Sequence, residues 1–81
     1  MKRVQNLREL KTLLRRGKRD FAIALGGRLV SRKHITRDAD GSYSVFHGID
    51  GSTEHVMTLD GLLRNTNIGR ALRHGAFYVE A

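Results

Sequence analysis

Cysteine is absent from the 81 residues, which excludes a disulfide framework, thiolate zinc ligation and thiol catalysis. No run of about 18 apolar residues occurs, so no stretch reads as a membrane-spanning helix. Proline is absent too, which leaves nine glycines as the chain's main punctuation. Aromatics are scarce, three Phe and two Tyr. Acids are outnumbered, eight against 15 Lys and Arg. The stretch from Met1 to Lys18 is basic and amphipathic, without the apolar core of a signal peptide. The expectation is a soluble, cytoplasmic protein forming one domain over residues 1–81, with no membrane partner.

What is present is enough apolar residue for one compact core: ten Leu, five Val and four Ile. The charge is unevenly placed. Up to Arg37 there are twelve Lys and Arg against Glu9 and Asp20, a net +10; from Asp38 onward three Arg face six acids, a net −3. Such a dipolar chain attracts phosphate or an acidic surface over a Debye length of about 8 Å at physiological salt.

Val4, Leu7, Leu10, Leu13 and Leu14 recur at three- and four-residue spacing, which predicts a helix over Gln5–Arg16. Asn6 with Glu9 gives a capping-box-like start, and Gly17 a stop. Asp20–Leu25 alternates as a strand, Gly26 and Gly27 form a two-residue hairpin turn, and Arg28–Thr36 returns with a bulge expected near Ser31–Lys33. Asp38–Gly41 is a turn, Ser42–Ile49 a third strand, and Glu54–Thr58 a fourth. A helical turn capped by Thr58 or Asp60 and a second short helix over Ile68–His74 follow, and then a strand over Ala76–Glu80, expected at a sheet edge. The sum is an α+β domain: an N-terminal helix, an antiparallel meander of about four strands, two short helices and a C-terminal strand, with helices covering one sheet face. Phe21, Phe46 and Phe77 read as core, leaving Tyr43 and Tyr78 as stacking candidates.

No enzymatic constellation emerges. Ser31 and His34 are three apart on a strand and face opposite sides, and no Gly-x-Ser-x-Gly elbow occurs. Asp38–Gly41 begins like a calcium loop, but its twelfth position is Ile49, not Glu. His34, His47, His55 and His74 lack close metal-ligand spacing, although His47 and His55 could meet across strands. No cofactor, metal or catalytic residue is assigned.

The basic cluster is the strongest feature. Arg28, Arg32, Lys33 and Arg37 fall within ten residues after the hairpin turn, with Arg15, Arg16, Lys18 and Arg19 at the helix-to-strand junction. Arginine prevails eleven to four over lysine, which suits bidentate contact with phosphate or carboxylate. Arg28, Arg32, Lys33 and Arg37, supported by Arg15, Arg16 and Arg19, are the candidate contact residues. The partner is a protein or nucleoprotein, or DNA or RNA bound through its backbone. A homodimer through the Leu-rich helix or the strand around Tyr78 is a further option.

The segments from Asp20 to Gly27, Ser31 to Ile35, Ile49-Asp50, Asn67 to Leu72 and Gly75-Ala76 resemble short accessory proteins of bacteriophages and other mobile elements. In size and style these also resemble anti-CRISPR proteins, which inhibit a bacterial immune ribonucleoprotein by binding it. That class shares no motif, so no functional residue transfers from it. Many of its members are acidic nucleic-acid mimics. The resemblance implies, for a basic chain, an inhibitor that occupies an acidic or RNA-exposed surface of the CRISPR-type effector in the bacterial cytoplasm.

Overall fold

The computed structural model describes residues 1–80. In chain order the elements are β1 (Lys2–Arg3), α1 (Leu7–Arg15), β2 (Asp20–Leu25), β3 (Arg28–Arg37), β4 (Tyr43–His47), β5 (Thr53–Val56), α2 (Leu59–Asn65), α3 (Ile68–Arg73) and β6 (Phe77–Val79). The six strands form one antiparallel sheet in the order β1-β6-β2-β3-β4-β5. The expected α+β architecture is therefore present, with the four-strand meander as β2 to β5. Two features differ. Lys2–Arg3 adds a strand, and it pairs with β6 through Lys2↔Val79 and Arg3↔Tyr78. The C-terminal strand is consequently internal, between β1 and β2, and the Tyr78 edge expected to be free is covered.

Local chemistry explains the elements. Asn6 Oδ1 accepts from the Glu9 amide at 2.9 Å, which satisfies one orphan donor of α1, and Glu9 Oε1 accepts from the Gln5 amide, just ahead of the cap, at 3.3 Å. Gly26 and Gly27 have φ of 57° and 78°, the pair of positive angles a tight hairpin turn requires. The bulge falls one residue before the expected segment: Ile23 pairs with Ser31 but Ala24 with Leu29, which leaves Val30 as the extra residue. Thr58 caps α2, its Oγ1 accepting from the Gly61 amide at 3.0 Å. Asn67 holds the N-cap place of α3 in the left-handed region, φ 65°, without a side-chain capping bond.

The helices cover one sheet face. Val4, Leu10, Phe21, Ile35, Val45, Leu62, Ile68 and Phe77 are buried there, and the Phe21 and Phe77 rings stack with centroids 5.2 Å apart. Gly69 lets α3 approach α2: a Cβ at this position would sit 2.9 Å from the Leu63 carbonyl oxygen.

Candidate binding surface

Strand alternation separates the candidate arginines. Arg32 points to the uncovered sheet face, 62% exposed, where its Nη1 lies 2.6 Å from Glu80 Oε1. Lys33, the next residue, points to the helix-covered face and is only 6% exposed. Arg28 lies at the hairpin tip and Arg37 at the other end of β3, about 30 Å away at the usual rise per strand residue. These four residues do not converge.

A different set does. Arg37 lines, with Lys11 and Arg15 of α1, a depression of about 180 Å³ that also holds Leu14, Tyr43 and Leu59 and has no acid in its lining. Arg16 and Lys18 follow directly on α1, and the Arg19 carbonyl accepts from the Ile35 amide at 2.8 Å, which places Arg19 beside the end of β3. The nearest acid in sequence, Asp38, accepts from the Ser42 and Ser44 hydroxyls at 3.2 and 3.0 Å. Of the seven candidates, Arg15, Arg16, Arg19 and Arg37 thus gather at one end of the molecule. Lys11 belongs with them, and its signal was its four-residue spacing from Arg15 on the polar side of α1. Among the described residues only two guanidinium groups, Arg32 and Arg64, pair with carboxylates.

Lys33 has a different environment. Its Nζ lies 2.6 Å from His47 Nδ1, and His47 Nε2 lies 2.7 Å from Glu54 Oε1. An ammonium donating to Nδ1 fixes the tautomer whose Nε2–H donates to the carboxylate. Burial pushes the Lys33 amine below its ordinary value, opposed by the negative charges of Asp50 and Glu54.

The uncovered face corrects a core assignment. Phe46 is on it and 45% exposed, because its pairing with His34 and Thr53 puts it opposite to Val45. Tyr43 instead faces the helices and packs against the core. Across four strands a row runs Arg3, Tyr78, Ala22, Arg32, and the next row holds Asp20, His34, Phe46 and Thr53. His34 Nδ1 lies 2.8 Å from Asp20 Oδ1. His55 is also on this face, 3.0 Å from Ser44 Oγ, whereas His47 is inside, so these two histidines diverge. Ser31 and His34 likewise lie on opposite faces.

No helix among the described residues is long and apolar enough to cross a membrane. The sequence matches no protein-family model and no curated protein, and the fold matches no solved structure.

Proposed function

We propose that this chain is a non-enzymatic binding protein of mobile-element type, an anti-CRISPR-like inhibitor that docks a cationic surface on a nucleoprotein effector and blocks it by occupancy. The supporting observation is the convergence of Lys11, Arg15 and Arg37 around an acid-free depression, continued by Arg16, Lys18 and Arg19. Guanidinium groups so grouped suit phosphate or carboxylate oxygens through paired N–H donors. Affinity capture from a bacterial lysate carrying a CRISPR system, with and without nuclease, tests it. Retention of effector protein after nuclease treatment, with loss of target cleavage, is expected; no effector captured in either arm would overturn it.

The uncovered sheet face favours a second reading, direct binding of single-stranded nucleic acid. Exposed Phe46, with Tyr78 three strand pairings away flanked by Arg3 and Ala22, offers rings for base stacking beside cations for phosphate. Affinity for an oligonucleotide would then fall steeply with salt, because phosphate contacts release counterions. No detectable binding at low salt removes this reading.

A further inference from the structure

The far end of β3 carries a second surface unlike the cationic one. Leu25 and Val30 of the β2–β3 hairpin and Ile49 of the β4–β5 turn face α3 across a cleft of about 560 Å³. Ile49 is 69% and Leu25 55% exposed, and Leu29 and Val30 beside them are also solvent-exposed. Small monomeric domains rarely leave such a contiguous apolar patch open, and patches of this kind mark interaction sites. The charged groups lining the cleft are Lys33, Arg70 and His74, and none is acidic. Asp50 and Glu54 act on the Lys33 charge from nearby without hydrogen-bonding to it, Asp50 accepting from the Ser52 amide and hydroxyl and Glu54 Oε1 lying 2.7 Å from His47 Nε2. Lys33 is a buried ammonium with three donors, and among the described residues its side chain has one acceptor, His47 Nδ1. Burial disfavours the charge of that amine, and a carboxylate brought against it would favour the ammonium form, as any opposite charge does.

We infer that this cleft takes a segment of a protein partner in which a large apolar side chain is flanked by Asp or Glu. The apolar chain would fill the space between the hairpin and α3, and the carboxylate would meet Arg70 and Lys33. A second copy of this chain is the poorer occupant, because apposing the same patch would set Arg70 and His74 against their counterparts. The cleft is independent of the Lys11–Arg15–Arg37 surface, so either can fail alone.

The test is selection of a displayed random dodecapeptide library on the immobilised full chain. Enriched peptides are expected to pair Leu, Met or Phe with neighbouring Asp or Glu. Their affinity should fall at least about tenfold for the double variant Leu25→Ser/Ile49→Ser and for Arg70→Glu, each checked for retained fold by circular dichroism. Absence of enrichment, enriched peptides without acids, or equal binding by both variants overturns the inference. Light scattering supplies the remaining arm: a dimer that Leu25→Ser/Ile49→Ser dissociates would make the occupant a second copy and overturn it also.

Discussion

Lys33 and His47 face each other across β3 and β4, with Nζ 2.6 Å from Nδ1. The contact removes from the surface a lysine that the sequence groups with three arginines. It also makes stability depend on pH in the alkaline range. A base whose folded-state pKa is depressed binds fewer protons folded than unfolded between that value and its ordinary 10.5. Its stability contribution therefore rises as pH climbs through that window, and the burial penalty is full below it. Urea unfolding of the wild type and Lys33→Met, compared from about pH 7 to about pH 10, should show the wild type gaining relative to the variant. A flat or falling difference would contradict the buried placement.

The approach of α3 to α2 predicts a cost at Gly69. A methyl group there meets Leu63 backbone at 2.9 Å and its Cβ at 3.2 Å, so the helices must separate. Gly69→Ala should lose about 1–3 kcal/mol by thermal or urea unfolding. A neutral or stabilising result, as helix propensity alone would give, would show that the two helices yield freely.

Two phenylalanines should behave oppositely. Phe21 is fully buried and stacked on Phe77, and Phe21→Ala should cost about 3–5 kcal/mol. Phe46 stands on the uncovered face, and Phe46→Ser should leave stability within about 0.5 kcal/mol while weakening any oligonucleotide binding. Denaturant midpoints and fluorescence anisotropy check the two halves.

Asn6→Ala removes the acceptor of the Glu9 amide and should cost about 1 kcal/mol, measured by chemical denaturation. Asn6→Asp retains the acceptor and should cost less.

The elements were legible because their signals are local. The leucine spacing of α1, the two glycines at the β2–β3 turn and the Thr58 cap each act within a few residues. The pairing of Lys2–Arg3 with β6 was not legible, since it joins the two ends of the chain and two residues carry no periodicity. Phe46 was misplaced because an aromatic in a strand reads as core until the covered face is known. For the binding surface, strand alternation separates Arg32 from Lys33 and was visible in the sequence. The meeting of Arg37 with Lys11 and Arg15 depends on how α1 crosses the sheet, which no local pattern records.

The proposed docking surface is the cationic end formed by α1 and the end of β3. The triple variant Lys11→Glu/Arg15→Glu/Arg37→Glu puts it to trial, because none of these side chains is buried or ion-paired among the described residues. Capture of the effector by the folded variant should be abolished while Arg28→Glu, at the opposite end of β3, binds as the wild type does. Undiminished capture by the triple variant would contradict it.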